Sequence, residues 1–210
     1  MTDFPIRLNE KYNDKGGWFS TVVLTIVTVL FTLLLIFNVL YTRIYIVGSS
    51  MRNTLVGAES MEKAGGDYVY ICKYIEPKRG DIVVIKVGDR SLIKRVIGLG
   101  GDSVKLEDGV LYLNGELVEE PYVDDNLNID TRKNNFDETV VKEGYVFFMG
   151  DNRDNSEDSR GYYSCQPVEN IEGVVTGWSL QCKDAITKWN TFFEFTLPEL
   201  FSVQESDNGD

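Results

Sequence analysis

Residues 47–55, VGSSMRNTL, form a short polar segment that begins five residues after the end of a long uncharged run. That run extends from Gly16 to Thr42 and contains 27 residues, most of them Val, Leu, Ile, Phe or Thr. At about 1.5 Å of rise per residue it makes roughly 40 Å of helix, against about 30 Å of hydrocarbon in a bilayer. The sequence therefore predicts a transmembrane helix over residues 16–42, preceded by a polar tail over residues 1–15.

The apolar run has the features of a permanent anchor. A cleavable signal peptide carries a shorter apolar segment followed by a small-residue cleavage site, and no such site follows here. Trp18 and Tyr41 lie near the two ends, where aromatic rings favour the membrane interface. The tail carries three basic residues, against Arg43 and Arg52 on the other flank, which favours a cytoplasmic tail. We therefore expect a single-pass protein of the cell membrane with an extracytoplasmic domain.

After the anchor, the sequence is typical of β structure. From residue 67 onwards, short runs rich in β-branched and aromatic residues alternate with turn residues. Asp108-Gly109 and Asn114-Gly115 separate three short apolar runs, and both dipeptides favour the two-residue turns that join antiparallel strands. Residues 104–118 therefore carry the strongest hairpin signal, whereas the polar stretch 119–140 is expected to be a loop. The predicted fold class is mainly β, with one N-terminal transmembrane helix.

Charge and composition exclude several classes of function. The net charge is −12, and all of it falls after the anchor, so the domain lacks the basic surface that nucleic acids require. The chain has no histidine, which excludes a Ser-His-Asp triad, a Cys-His dyad and His-based zinc sites. Proton transfer must then use a Lys, Asp, Glu, Tyr or Cys whose pKa is shifted by its surroundings.

No cofactor or metal site is expected. The three cysteines have neither CxxC nor metal-ligand spacing, and we interpret them as small buried hydrophobic residues. The alternative is a disulfide between Cys165 and Cys182, if the domain folds in an oxidising compartment. Asp154, Ser156 and Asp158 alternate as they do in a calcium loop. That loop would need Gly at its sixth position and Glu at its twelfth, where Ser159 and Cys165 stand. The polar side chains after residue 150 are therefore interpreted as a buried hydrogen-bonding network, with a plain surface loop as the alternative.

Without histidine, a serine nucleophile needs another base, and a lysine kept neutral by burial serves on unrelated folds. Lys94 is the best candidate, because it lies in a mostly apolar run between Ser91 and Gly98. Lowering a lysine pKa from about 10.4 to near 7 corresponds to roughly 4 to 5 kcal/mol of desolvation. The alternatives are a solvated lysine on an edge strand and, for residues 47–55, a juxtamembrane linker rich in Gly and Ser.

Four motifs occur in a fixed order: SM at 50–51, RGDIVV at 79–84, KRVIG at 94–98 and GDNRDNSEDSR at 150–160. Their order and spacing closely resemble those of the bacterial type I signal peptidases, and the resemblance runs from about Val47 to Trp178. It implies that Ser50 is the nucleophile and Lys94 the general base of a Ser/Lys dyad. The substrates would be preproteins with signal peptides.

The resemblance also implies supporting roles for four residues of the last motif. Ser156 would orient the lysine amine, Asp158 and Arg160 would form an ion pair that braces the site, and Asp151 would support the network. The family's usual Pro is replaced here by Asn53, which gives up a fixed φ near the nucleophile.

Some members of the family have a serine that helps to bind the oxyanion where this chain has Gly48. The oxyanion would then rely on main-chain donors, and the Ser50 N–H is the one we would name.

The family fold is a largely antiparallel β structure with an inserted β region. By this resemblance the catalytic core would consist of residues 43–102 and 144–182, and the inserted hairpin and loop of residues 103–143. Residues 183–210 form an aromatic and acidic tail, which either packs on the domain or lies on the bilayer. We favour packing, because interfacial helices usually carry Lys or Arg on their polar face.

Three functions remain open from the sequence. A membrane-bound Ser/Lys endopeptidase is favoured, since Ser50 follows Thr42 by eight residues, at most roughly 26 to 29 Å of chain. A protease held there meets peptide bonds just beyond another protein's apolar segment, where signal sequences are cut. The alternatives are a non-catalytic signal-peptidase-like factor for assembly of a surface polymer such as a pilus, and a relative of the self-cleaving Ser/Lys repressors. The apolar run and the lack of a DNA-binding half argue against a repressor relative.

Overall fold

The computed structural model describes residues 17–124, 135–196 and 198, so the predicted polar tail and most of the acidic C-terminal end lie outside the described residues. Helix α1, Gly17–Leu40, is long and apolar enough to cross a bilayer, with a mean hydropathy of 2.7 over an 18-residue window. It ends two residues before the predicted boundary, because Tyr41 already pairs with Cys72 in a β ladder. The chain divides into two compact units between Leu40 and Tyr41.

The described residues after α1 form mainly antiparallel β structure, as predicted. The strands are, in chain order, β1 (Tyr41–Tyr45), β2 (Tyr68–Cys72), β3 (Ile82–Val87), β4 (Arg90–Leu99), β5 (Ser103–Glu107), β6 (Val110–Leu113), β7 (Glu116–Leu117), β8 (Phe136–Val140), β9 (Tyr145–Met149), β10 (Gln166–Pro167) and β11 (Ile171–Val175). Seven of them make one sheet in the order β1-β2-β11-β3-β4-β9-β10, and four make a second sheet in the order β7-β6-β5-β8.

The second sheet contains the predicted hairpin. Asp108, Gly109, Asn114 and Gly115 all have positive φ, between 51° and 81°, as two-residue hairpin turns require. The hairpin prediction is therefore confirmed. The loop prediction for 119–140 is wrong at its C-terminal end, where β8 pairs with β5. Four of the five β8 residues are exposed, so the strand has no alternating apolar pattern that would reveal it in the sequence. Its backbone hydrogen bonds to β5 hold it in the sheet.

Buried side chains of the larger sheet hold the segment of residues 47–55 in place. Met51 and Leu55 are each only 1 % exposed and belong to a hydrophobic cluster that includes Val69, Ile71 and Val84. Burying a side chain of this size contributes about 1.5 to 3 kcal/mol to the stability of the folded state. The two apolar residues that follow Ser50 therefore anchor the polar segment on the sheet.

Two short helices follow β11: α2, Gly177–Gln181, and α3, Lys183–Thr191, which continues into a π-helical turn, Phe192–Thr196. The prediction that the aromatic tail packs on the domain holds for Phe195, whose ring lies 6.1 Å from the Tyr45 ring. It is wrong for Trp189, Phe192 and Phe193, which are 68 %, 44 % and 46 % exposed. The helix does pack on the domain, but through polar side chains such as Thr187 and Asn190.

Candidate active site

Ser50 lies in a tight turn of residues 49–55 that follows β1, named here the serine turn. The turn is closed by hydrogen bonds from the Arg52 N–H to the Ser49 carbonyl, 3.1 Å, and from the Leu55 N–H to the Met51 carbonyl, 2.8 Å. The Ser50 side chain is half-buried, whereas Met51 and Leu55 are fully buried beside it. The turn therefore directs one hydroxyl towards the neighbouring strand and keeps its flanks fixed.

Strand β4 brings Lys94 to this hydroxyl. Lys94 pairs with Val83 of β3, and its side chain is buried, with only 3 % of the residue exposed. Its Nζ lies 2.7 Å from the Ser50 Oγ and donates to the Ile93 carbonyl at 3.0 Å. The two residues are 44 positions apart in sequence, so the contact is purely tertiary. The amine is within proton-transfer distance of the hydroxyl.

Burial lowers the pKa of Lys94 from 10.5 to about 8, because the charged ammonium loses its hydration. The carboxylates of Asp158, Glu157 and Asp151 act in the opposite direction and raise it, in that order of effect. With a pKa near 8, about one tenth of the amine is neutral at pH 7 and about half at pH 8. Such an amine can act as a general base near neutral pH.

The loop after β9 is hydrogen-bonded directly to the serine turn. The Asn152 N–H donates to the Ser50 carbonyl at 2.9 Å, and the Asn152 side chain donates to the Ser49 carbonyl at 3.0 Å. Gly150 allows this approach, since a Cβ there would lie 2.5 Å from the Ser50 carbonyl oxygen and 2.3 Å from the Ser156 Oγ. The position therefore excludes every side chain.

Asp158 and Arg160 form a buried ion pair in the same loop. The Asp158 carboxylate accepts from Arg160 at 2.9 and 3.0 Å and from the Gly150 N–H at 3.0 Å. Arg160 also donates to the Arg153 carbonyl at 2.7 Å. Together these bonds join the end of the loop, at Asp158 and Arg160, to its beginning at Gly150 and Arg153, next to the serine turn.

Ser156 approaches Gly150 beside the serine turn, but it makes no hydrogen bond with the lysine. Its Oγ is buried and makes no hydrogen bond with any described residue. The implied hydrogen bond from Ser156 to the Lys94 amine is therefore not formed in this structure. The amine is instead bonded to the Ser50 hydroxyl and the Ile93 carbonyl.

Asp151 forms a second buried ion pair. Its carboxylate, 0 % exposed, accepts from the Arg95 guanidinium at 2.8 and 2.7 Å and also contacts the Thr54 hydroxyl. Arg95 also donates to the Gly80 carbonyl at 2.7 Å. Since Thr54 lies near the end of the serine turn, Asp151 holds the C-terminal side of that turn.

An apolar groove of about 330 Å³ runs beside the serine and the lysine. Its wall is mostly aliphatic and includes Ile44, Ile46, Val47, Val84, Leu92 and Ile93. Within the described residues, β4 pairs with β9 only from Arg95 onwards, so residues 90–94 leave one edge of the strand unpaired at the groove. The described residues contain no group of three or more His, Cys, Asp or Glu that could hold a metal ion.

A family profile described as signal peptidase, peptidase S26, matches residues 18–178, more than two thirds of the chain. The chain belongs to the S26 signal peptidase family. The resemblance drawn from the sequence motifs is thereby confirmed, and the Ser50–Lys94 contact falls within the matched residues.

Several relatives of this S26 peptidase are similar over most of their length. It is 38 % identical over 163 residues to signal peptidase I of Bacillus licheniformis, covering 73 % of this chain and 82 % of the relative. It is also 38 % identical over 185 residues to signal peptidase I U of Bacillus subtilis, covering 80 % of this chain and 89 % of the relative. A crystal structure of a signal peptidase I from Enterococcus faecalis is 32 % identical, with a TM-score of 0.40, covering 49 % of this chain and 98 % of that one.

One segment that contacts the site residues of this S26 peptidase does not belong to any of the sequence motifs. Residues 118–124, named here the strap, leave the second sheet and reach the site. In the strap, Glu120 pairs with Arg153 at 2.5 Å, and the Tyr122 ring lies 3.8 Å from the Arg95 guanidinium. The strap lies in a polar stretch without periodicity, and its signal was a Pro-Tyr pair after two acidic residues.

The strap also explains how the peptidase accommodates Asn53. The Asn53 side chain donates to the Tyr122 carbonyl at 3.2 Å. The serine turn thus gains a tether to the strap at the position where the resemblance led us to expect a proline. That tether limits the loosening that loss of the fixed φ would otherwise bring.

Proposed function

We propose that this chain is a membrane-bound serine endopeptidase that removes signal peptides from secreted preproteins, with Ser50 as nucleophile and Lys94 as general base. Membership of a peptidase family and similarity to several signal peptidases support the reaction class. One observation carries the catalytic assignment: a buried amine with a lowered pKa lies 2.7 Å from the Ser50 Oγ.

In the first half of the reaction, neutral Lys94 takes the proton of the Ser50 hydroxyl as Oγ attacks the scissile carbonyl. The carbonyl oxygen becomes an oxyanion, and we name the Ser50 N–H as its main-chain donor. No described residue accepts a hydrogen bond from that N–H, so it is available. When the C–N bond breaks, the Lys94 ammonium returns its proton to the leaving amine, and an acyl-enzyme remains.

In the second half, the same amine takes a proton from a water molecule, which attacks the ester carbonyl of the acyl-enzyme. The Ser50 Oγ leaves and recovers the proton from Lys94, so the dyad returns to its starting state. The roles of the Asp158–Arg160 and Asp151–Arg95 ion pairs are to position the loop and the turn around the serine, since neither pair contacts its hydroxyl.

The groove beside the dyad suits an extended peptide. A peptide strand can bond to the unpaired edge of residues 90–94 and place alternate side chains against the aliphatic wall. A volume of about 330 Å³, shared between the main chain and several side chains, favours small residues before the cleaved bond.

The membrane anchor limits where this chemistry can occur. Ser50 follows the end of α1 by ten residues, which span at most roughly 33 to 36 Å of extended chain. With α1 in a bilayer, the dyad meets peptide bonds just outside it, as expected for an enzyme that cuts membrane-inserted preproteins. The positively charged residues before α1 favour an extracytoplasmic catalytic domain.

The test is cleavage of a purified preprotein by the full chain in detergent micelles, with the new N-terminus of the product mapped. Ser50→Ala and Lys94→Ala should each abolish cleavage, because each removes one partner of the proton transfer. Ser60→Ala and Lys86→Ala are matched controls and should retain activity, since neither residue lines the site. Cleavage by either dyad variant at the wild-type rate would reject the assignment.

A non-catalytic assembly factor is not favoured. Asn53 and the crowded aromatic tail are the two features that suggest such a factor, and Asn53 is bonded to Tyr122 without disrupting the serine turn. Such a factor would keep its cellular function in the Ser50→Ala variant. Complementation of a deletion strain by that variant would therefore favour the assembly factor over the peptidase.

A further inference from the structure

The C-terminal helix presents aromatic side chains to solvent. Trp189 is 68 % exposed, Phe192 44 % and Phe193 46 %, and the rings contact one another with centroids 4.9 and 5.3 Å apart. We name these three residues the aromatic face. An apolar groove of about 590 Å³ lies next to them, lined also by Ala185 and Thr196. The aromatic face lies beyond residue 178, outside the match to the S26 family.

The opposite side of the same helix contacts the domain mainly through polar side chains, and the Phe195 ring adds one contact with Tyr45, 6.1 Å between centroids. The Thr187 hydroxyl accepts from the Tyr68 N–H at 2.8 Å, and Asn190 accepts from the Arg43 guanidinium. Glu194 pairs with Arg43 at 2.5 Å and accepts from the Tyr68 hydroxyl at 2.5 Å. A water-exposed helix normally has the reverse arrangement, with its apolar side inward. The described residues therefore leave the aromatic face open to an apolar partner.

The attachment of the helix identifies this partner. Arg43 follows the last residue of α1 by three positions, at most about 11 Å of chain. Tyr41, the first residue after α1, packs edge-on against Trp178 at 5.8 Å. The helix is thus bonded to residues that directly follow the apolar segment. A bilayer around that segment would therefore remain close to the helix, so the cost of bringing the two together is small. Tryptophan and phenylalanine are also the side chains that favour the lipid interface.

Area and charge argue for lipid over a second copy of the chain. Three aromatic side chains of about 150 to 250 Å² each, about half exposed, offer roughly 250 to 400 Å², below the ~800 Å² per partner of a stable dimer. Over Lys183–Thr196 two lysines balance Asp184 and Glu194, so no net charge opposes contact with a zwitterionic surface. Lys188 can place its stem along the lipid and its amine among the headgroups.

We propose that the aromatic face inserts into the interface of the bilayer that holds the chain's own anchor helix. The contact gives the domain a second point of attachment to the bilayer. The proposal rests on α1 spanning a bilayer and does not depend on the Ser50 and Lys94 chemistry.

The test measures the depth of Trp189 in the full chain, reconstituted into phosphatidylcholine vesicles. Trp18→Phe and Trp178→Phe make Trp189 the sole tryptophan, and circular dichroism checks that the fold is kept. We expect lipids brominated on their acyl chains to quench its fluorescence, and acrylamide to quench it several-fold less than in the urea-unfolded chain. A second reporter, Phe192→Trp combined with Trp189→Phe, should behave in the same way.

Leu117→Trp, in the background without the three native tryptophans, is the matched control. Leu117 is an exposed apolar residue, 60 % accessible, on the outermost strand of the second sheet. Its reporter should be quenched by acrylamide and not by brominated lipid. The proposal is overturned if Trp189 is quenched by acrylamide alone, if neither reagent quenches it, which indicates protein cover, or if brominated lipid quenches the control equally.

Discussion

Replacing Lys94 by methionine should stabilise the folded protein at neutral pH while it removes the proposed base. Burial lowers the pKa of Lys94 from 10.5 to about 8, so the folded state holds this proton less tightly than the unfolded state. The difference of about 2.5 pKa units amounts to roughly 3 kcal/mol of destabilisation wherever the amine is charged in both states. Methionine has a similar length and no charge, so Lys94→Met removes that cost.

The sign of the effect depends on pH. Below about pH 8 both states carry the proton, and the folded state bears the full cost. Between pH 8 and 10.5 the folded state has lost the proton and the unfolded state retains it, so the stability of the native sequence rises with pH. The advantage of Lys94→Met should therefore be about 3 kcal/mol at pH 7 and should approach zero near pH 10.5.

The assay is urea unfolding of the full chain in detergent micelles at pH 7, 8, 9 and 10, compared between native and variant proteins. Groups common to both proteins cancel in the difference. Lys86→Met on β3 is the matched control, because Lys86 is exposed and its replacement should leave the unfolding free energy nearly unchanged at every pH. Loss of stability in Lys94→Met at pH 7, or a difference that does not change with pH, would refute the reasoning.

Three further predictions concern the same site. The kcat/KM for a preprotein should rise about tenfold from pH 7 to pH 9 with an apparent pKa near 8, as the buried lysine becomes neutral; a flat profile would contradict this. Gly150→Ala, with a Cβ 2.5 Å from the Ser50 carbonyl oxygen, should lower kcat about tenfold or more, whereas Gly161→Ala, which faces open space, should not; equal rates would contradict it. Arg95→Met leaves the Asp151 carboxylate buried and unpaired and should lower the unfolding free energy by about 3 to 5 kcal/mol in urea titrations; a change below about 1 kcal/mol would show that the pair is dispensable.

The sequence alone determined the features that depend on neighbouring residues. A continuous apolar run specified the helix Gly17–Leu40, because the spacing and hydropathy of successive residues are local properties. Asp108-Gly109 and Asn114-Gly115 specified the hairpin, because these dipeptides adopt positive φ readily. The motif order identified Ser50 as the candidate nucleophile, and the lack of histidine directed attention to lysine.

Only the tertiary structure decided how these parts meet. The 2.7 Å approach of Lys94 to Ser50 and the contact of the Tyr122 strap with Arg95 join residues far apart in sequence. Neither contact has a local sequence pattern, since each depends on which distant segments the fold brings together. Burial is likewise a property of the packed fold, and burial changes the lysine from a solvated cation into a candidate base.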